Sequence, residues 1–247
     1  MSEVAAMPGL NMPPLNTAVV GSSMFFFDET ESTNNLALAQ DMRADGAVFV
    51  AERQTAGRGR HGSRWHSAPG LGLWFSVSLK GPSRGLMFAA SLAVRDAVRP
   101  RAELAIKWPN DLLCGGRKVC GILVEHREGW SALGIGINVR HRPEDFPEEL
   151  RKTAASLESA TGLMWDRAQL MHAVLLALDR NVLRLRRGGQ EALRAEWVKA
   201  CRIIGQIVRR DRVVGRVTEI DEQGALVVEM RTGKRRLITG DIEVVLE

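Results

Sequence analysis

Residues 104–139 read LAIKWPNDLLCGGRKVCGILVEHREGWSALGIGINV. Three apolar runs, 104–108, 119–125 and 131–139, are separated by the turn-forming residues Cys114-Gly115-Gly116 and Glu128-Gly129. This pattern predicts neighbouring strands joined by short turns. On the N-terminal side, the runs at 25–28, 47–51 and 73–79 predict further strands, and 86–98 predicts a helix with few polar positions. Glu31-Ser32-Thr33-Asn34 supplies helix-capping side chains just before Leu36, Leu38 and Ala39. On the C-terminal side, Pro143 and Pro147 mark 141–150 as a connection. Met171, Val174, Leu175, Leu178, Val182 and Leu185 then share one face of a helix predicted over 166–187. Gly188-Gly189 ends that helix, and 190–201 predicts another. After Gly205 only short apolar pieces remain, with hairpin loops at Asp221-Glu222-Gln223-Gly224 and Arg231-Thr232-Gly233-Lys234. They predict a five-stranded, barrel-like module over 205–247, which needs to dock on the larger part to be stable.

Composition narrows the class. The chain has 247 residues, 45% of them apolar, enough for one full core and a small second one. No stretch is long and apolar enough for a membrane span, and the first twenty residues lack the basic start and apolar block of a secretory signal. Residues 1–24 read as a Pro-containing arm. Cys114, Cys120 and Cys201 fit no zinc spacing and read as reduced thiols of a cytoplasmic protein. The net charge of +5 comes from 151–204, with ten basic and five acidic residues, while the segments on either side are balanced. A basic helical face is more simply a solvated surface than a nucleic-acid footprint.

Three clusters carry chemistry. Gln54-Thr55-Ala56-Gly57-Arg58-Gly59-Arg60-His61-Gly62, followed by Arg64 and Trp65, joins glycines, which expose backbone N–H groups, to guanidinium groups suited to phosphate or carboxylate. It lacks the P-loop spacing, and its arginines are out of place in a dinucleotide-binding turn. Lys107-Trp108-Pro109-Asn110-Asp111 sets an amide and a carboxylate at a strand end behind a rigid proline; Asn can read a base edge and Asp can hold Mg2+. In the third cluster, Arg117 to Glu125, Lys118 starts a strand with a buried interior, where a lysine either snorkels to solvent or meets an anion; Gly121 leaves room beside the strand.

In this order, together with Glu31-Ser32-Thr33-Asn34, Gly134-Ile135-Gly136-Ile137-Asn138 and Asp221 to Leu226, the clusters resemble the biotin–protein ligases. The resemblance runs from about Phe27 to the C-terminus. It implies an α/β (α+β) fold, with a mixed-sheet catalytic domain over 25–204 and a small SH3-like barrel over 205–247. The bifunctional, DNA-binding members carry a further N-terminal domain, for which the residues before the first strand are too few, so no DNA partner is implied. The implied reaction activates biotin with ATP and Mg2+ to biotinyl-5'-AMP, then transfers biotin to a lysine of a biotin carboxyl carrier domain. It also implies a cytoplasmic enzyme, with a homodimer left open.

By position in the family motifs, Lys118 and Arg60 are the catalytic candidates. Ser32, Thr33, Asn34, Gln54, Arg58, Gly59, Arg60 and Lys118 are the biotin-binding candidates. Arg58, Trp65, Lys107, Asn110, Asp111 and Asn138 are the ATP-binding candidates, with Asp111 near Mg2+. Leu73-Trp74 and Gly121-Ile122 are expected to form the apolar wall for the valeryl tail. The loop at 57–64 is expected to close over the reactive anhydride. The rival readings are a lipoate or octanoate ligase of the same fold, a non-catalytic RNA-binding module built on Arg58, Arg60 and Arg64, and a sensor that binds biotin without transferring it.

Overall fold

The fold was obtained as a computed structural model, which describes residues 10–238, 240 and 242–245; the first nine residues of the predicted arm lie outside the described residues. Seven strands form the main sheet: β1 (Met24–Thr30), β2 (Val48–Gln54), β3 (Gly72–Lys80), β4 (Ala105–Lys107), β5 (Asp111–Cys114), β6 (Arg117–Arg127) and β7 (Trp130–Asn138). Their order is β1-β2-β3-β7-β6-β5-β4. β1 and β2 pair in parallel through the short crossover helix α1 (Thr33–Leu38), and every other pair is antiparallel, so the sheet is mixed.

Both predicted long helices are present, α4 as Arg167–Arg186 and α5 as Gln190–Cys201, together with α2 (Leu86–Val98) and the short α3 (Leu157–Thr161). α2 and α4 cover one face of the sheet. Met171, Val174, Leu175, Leu178 and Val182 of α4 join Phe75, Val77, Leu133, Ile135 and Ile137 of the strands in the main core. α1 lies on the opposite face, where Ala37 and Leu38 pack against Phe49 and Ala132. That face also carries the open part of the sheet.

β5 was not anticipated from the sequence, because Leu112 and Leu113 are too short an apolar run to signal a strand beside a turn. It pairs with β6 through a β-bulge, in which Leu112 faces Cys120 and the next residue, Leu113, faces Lys118. The extra residue is Val119. The bulge buries both Val119 and Cys120 in the main core, although they are consecutive, and turns Lys118 to the open face beside Gly121. Without it, Lys118 would share the apolar face of Cys120 and Ile122.

The C-terminal residues form the five expected strands, β8 (Ile207–Arg210), β9 (Val213–Ile220), β10 (Leu226–Met230), β11 (Gly233–Leu237) and β12 (Glu243–Val245). They make one antiparallel sheet of order β11-β10-β9-β8-β12. Val208, Val217, Leu226 and Val228 share a core with Phe88 of α2, Trp197 of α5, and Ile106 and Trp108 beside the predicted site. The Trp108 indole N–H donates to the Gly224 carbonyl at 2.8 Å, which ties the second sheet to the loop after β4.

Residues 10–22 are a strap. Leu10 and Val20 are buried in the main core, and the N–H groups of Ala18, Val19 and Val20 donate to the Asp179 carboxylate of α4 at 3.1, 2.8 and 2.9 Å. Asp179 is only 6% exposed, so its charge is met by backbone donors rather than by water. Replacing Asp179 by Ala leaves these donors without their acceptor. Urea denaturation should show a loss of about 3 kcal/mol, and Asp179→Asn a smaller loss.

His141 is 1% exposed, stacked on Phe146 at 4.7 Å and packed edge-on to His66 and Trp74. Burial, reinforced by the neighbouring His66, pulls its imidazole down from 6.5 to about 4; Asp145 opposes the shift. The unfolded chain therefore takes up this proton first as pH falls. The stability associated with neutral His141 is intact above pH 6.5 and is lost between 6.5 and about 4. The total loss is about 3 kcal/mol. In pH-dependent urea denaturation, His141→Phe should flatten the curve by one proton across that window.

Candidate active site

Every catalytic, biotin-binding and ATP-binding candidate named from the sequence lines one cavity of about 850 Å3 on the open face of the main sheet, from Ser32, Thr33 and Asn34 through Gln54 and the 58–65 loop to Lys107, Asn110, Asp111, Lys118 and Asn138. Residues more than 100 positions apart converge here because β7 and β6 lie at the middle of the sheet, with β3 and β2 beyond one side and β5 and β4 beyond the other.

The floor of the cavity is set by missing side chains. Gly121 of β6 pairs directly with Gly136 of β7. A Cβ on either would lie 2.6 Å from the Trp65 ring, and a Cβ on Gly134 would lie 2.4 Å from Asn34 Oδ1. The indole and the amide therefore lie directly on the backbone of the sheet. Trp74 packs edge-on to Trp65, with ring centroids 6.1 Å apart. Half of the expected apolar wall is not found at the cavity. Leu73 belongs to the main core and Trp74 backs Trp65, and neither lines the cavity, whereas Gly121 and Ile122 do.

At one end sits a polar network. Ser32 occupies the N-cap position of α1 as expected, yet its side chain makes no capping bond. The Thr33 N–H and hydroxyl donate to Gln54 Oε1 at 2.9 and 3.2 Å, and Gln54 Nε2 donates to the Ser67 hydroxyl. The Ser76 hydroxyl lies 2.5 Å from Asn34 Oδ1, and Asn34 Nδ2 donates to Glu125 at 2.6 Å. Glu125 also receives Arg58, whose Nη2 lies 3.0 Å from Oε2, and Arg58 donates further to Asn35. Arg58 thus faces a carboxylate of the protein, and an anionic ligand must compete with Glu125 for it.

At the other end, Lys118 Nζ pairs with Asp111 Oδ1 at 2.7 Å and stands 5.1 Å from the centre of the Trp65 ring. Of the two readings of this lysine, the anion partner holds. Asp111 opens β5 opposite Lys107, across the turn that contains the cis Trp108–Pro109 bond. Asn110 Nδ2 donates to the Ile122 carbonyl at 2.8 Å, and Asn138 Nδ2 to the Ala155 carbonyl at 3.1 Å. Both amides are therefore partly spent on the fold, each retaining its carbonyl oxygen.

The loop at 57–65 closes as a small hairpin, with Trp65 N–H donating to Gly57 and Gly59 N–H to Ser63. Arg60, within the short turn Arg60–Gly62, lines the same cavity as Lys118.

Sequence reading missed four contributors. Glu125 shares the open face of β6 with Gly121, so strand alternation held the signal. Ser76 and Ser78 were isolated polar residues in an apolar strand, and Ser76 proved to be part of the network. Ser67 gave no signal. Nor did the segment after the predicted connection, where Thr153 accepts from Lys118 N–H, Ala155 donates to the Lys118 carbonyl, and Lys152 lines the cavity.

Cysteine chemistry has no support here. The three thiols are free, and burial pushes Cys114 and Cys120 up and Cys201 up to about 12, away from the reactive thiolate. Among the described residues no helix is long and apolar enough to cross a membrane.

The signature of the biotin/lipoate A/B protein ligase family matches residues 25–141. The chain is 34% identical to the bifunctional ligase/repressor BirA of Bacillus subtilis, over 93% of this chain and 76% of that protein. It is also 34% identical to the biotin–[acetyl-CoA-carboxylase] ligase of Mycobacterium tuberculosis, over 88% of this chain and 86% of that protein. The biotin protein ligase of Aquifex aeolicus, solved in complex with biotin and ATP, superposes with a TM-score of 0.78 at 27% identity, covering 92% of this chain and all of that one. The mixed sheet, the small C-terminal β-unit and these relatives agree: the chain belongs to the biotin/lipoate A/B protein ligase family, and its relatives there are biotin ligases.

Proposed function

We propose that this chain is an ATP-dependent biotin–[acetyl-CoA-carboxylase] ligase, with its whole reaction in this cavity and a biotin carboxyl carrier domain as acceptor. The observation that carries the reading is the convergence of two unlike surfaces in one 850 Å3 space. One is a polar set, Ser32, Thr33, Asn34 and Gln54; the other a cationic set, Arg58, Arg60, Lys107 and Lys118. The fixed donors and acceptors of a ureido ring match the first. The dithiolane of lipoate and the bare chain of octanoate leave it unmet, which favours biotin over those acids.

A carboxylate is a poor acyl donor because its oxygen leaves badly. In the first half-reaction a biotin carboxylate oxygen attacks the α-phosphorus of ATP. The P–O bond to pyrophosphate breaks, and biotinyl-AMP remains. Two anions must meet, and fixed cations offset their repulsion. Lys118 is oriented for this by Asp111 and by the Trp65 ring. Arg60 and Arg58 bring further positive charge from the loop, and Trp65 supplies an aromatic wall. Asn110 and Asn138 present their remaining amide oxygens on the nucleotide side. In the second half-reaction the neutral amine of an acceptor lysine attacks the acyl carbon, the bond to AMP breaks, and an amide forms with loss of a proton.

Mg2+ fits as an ion carried by the phosphates. Asp111 offers one carboxylate at the cavity, and no group of three or more His, Cys, Asp or Glu forms a cage among the described residues. When bound it screens phosphate charge. The hairpin at 57–65 is the segment positioned to cover the anhydride and keep water from it. Residues 25–204 form the catalytic unit and 205–247 an SH3-like unit docked on it, working in the cytoplasm.

An RNA-binding role is disfavoured by the pairing of its cations. Arg58 is held by Glu125, and on α4 and α5 Arg167, Arg184, Arg186 and Arg194 meet Glu52, Glu196, Asp45 and Glu191.

ATP–pyrophosphate exchange, run in parallel with biotin, lipoate and octanoate, tests the function. Exchange should depend on biotin, and exchange supported only by lipoate or octanoate would overturn the assignment. Lys118→Ala should lower the exchange rate by about 100-fold or more and weaken biotin binding far less. Near-normal pyrophosphate release by that variant would remove Lys118 from the chemistry.

A further inference from the structure

Glu125 stands at the centre of the polar network without lining the cavity. It lies on β6, four residues beyond Gly121 and on the same face of the strand. Its Oε2 accepts from Asn34 Nδ2 at 2.6 Å and from Arg58 Nη2 at 3.0 Å, while Oε1 accepts from Arg58 Nε and Nη2 at 3.3 and 3.2 Å. Asn34 does line the cavity, and its amide lies on the backbone of Gly134, where a missing side chain leaves it room. On its other side Asn34 Oδ1 is 2.5 Å from the Ser76 hydroxyl, which in turn is 2.7 Å from the Thr33 hydroxyl. The two ends of an asparagine amide have nearly the same shape and opposite hydrogen-bonding character. Packing on Gly134 does not tell them apart. Neither does Ser76, because a hydroxyl both donates and accepts, and the same holds for Thr33 behind it. A carboxylate only accepts. Of the partners of Asn34 among the described residues, Glu125 alone fixes which end carries the N–H groups.

We propose that Glu125 is a positioning residue for biotin, acting through Asn34 to set which donors and acceptors the polar end of the cavity presents to the ureido ring. The proposal rests on the ligase reading and deepens it by naming the group that fixes the polarity of the ring site. With Nδ2 turned to Glu125 and Oδ1 to Ser76, one proton of Nδ2 and one lone pair of Oδ1 remain for a ligand, each in a fixed place. The single Ser76 proton is then spent on Asn34. Gln54 is fixed from the opposite side, because its Oε1 faces the backbone N–H of Thr33 at 2.9 Å, and a backbone N–H only donates. The chain of hydrogen bonds thus has an acceptor at one end and a donor at the other, and its direction is set throughout. Arg58 supplies the counter-charge that makes a carboxylate tolerable at this partly exposed position. A ureido ring carries its N–H groups and its carbonyl in a rigid frame. If Asn34 were free to exchange its two ends, only part of the population would match that frame, and affinity would fall accordingly.

Glu125→Gln keeps the size of the side chain and lets it donate as well as accept. Biotin binding is measured by isothermal titration calorimetry on the full-length protein without ATP, in the parent and in an Asn34→Ala background. Glu125→Gln should weaken biotin by about fivefold or more in the parent and by less than about twofold in Asn34→Ala. In ATP–pyrophosphate exchange the loss should appear in KM for biotin, with kcat changed several-fold less. Unchanged biotin affinity would overturn the proposal. So would equal weakening in both backgrounds, which would have Glu125 act through Arg58 or as general support, and so would a fall in kcat as large as the rise in KM. A measurement on the unaltered protein holds even where a variant fails to fold. Nuclear Overhauser contacts from the Asn34 Nδ2 protons should be stronger to the Glu125 γ-protons than to the Ser76 β-protons, and equal or reversed strengths would overturn the proposal. Absence of biotin binding by the parent would instead overturn the ligase reading, and this role of Glu125 with it.

Discussion

The site depends on a patch of sheet with no side chains. Gly121 and Gly136 face each other across β6 and β7, and Gly134 lies two residues along the same face. A methyl group on any of them would meet Trp65 or Asn34 at 2.4 to 2.6 Å, far inside contact distance. Removing those side chains lowers the floor enough for an indole and an amide to rest on the backbone. It also costs strand propensity and chain entropy. The cost is tolerable because both strands lie inside a seven-stranded sheet and their other face is solid apolar core. Alanine at these positions would push Trp65 and Asn34 into the space that the ligand needs.

The charged groups on this floor are held before any substrate arrives. Lys118 has Asp111, and Arg58 has Glu125, which also takes the Asn34 amide. Each pair is only partly exposed, and an uncompensated charge there would be expensive. An incoming carboxylate or phosphate finds cations already oriented, and it exchanges one anion for another rather than ordering a free side chain. The bulge at Val119 is what makes this geometry possible, because it brings Lys118 out of the apolar register of its own strand.

The two sheets are not independent. Trp108 is buried in the core that the C-terminal strands share with α2 and α5, and its indole is bonded to Gly224. Lys107, Asn110 and Asp111 surround that anchor in sequence. The C-terminal unit therefore sets the position of the turn that presents them. Five short strands bury too little to stand well alone, and docking solves that problem while fixing the site.

Much of this was legible in the primary structure. Apolar periodicity placed α4 within a residue at each end, because apolar spacing follows helical geometry directly, and the helices expected at 86–98 and 190–201 lie at those bounds. The Gly-Arg loop, the Lys107–Asp111 turn and Lys118 were legible because few other contexts place those residue types together. The bulge, the missing strand β5, the partnership of Arg58 with Glu125 and the strap on Asp179 were not legible. The Arg58–Glu125 pair and the strap join residues far apart in the chain, and β5 and its bulge exist only through pairing with β6, none of which local apolar pattern records. Residue chemistry at short range settled which groups the protein brings to its substrates. The packing of the sheet against its helices settled which of those groups already hold one another, because that depends on which strands and loops lie side by side.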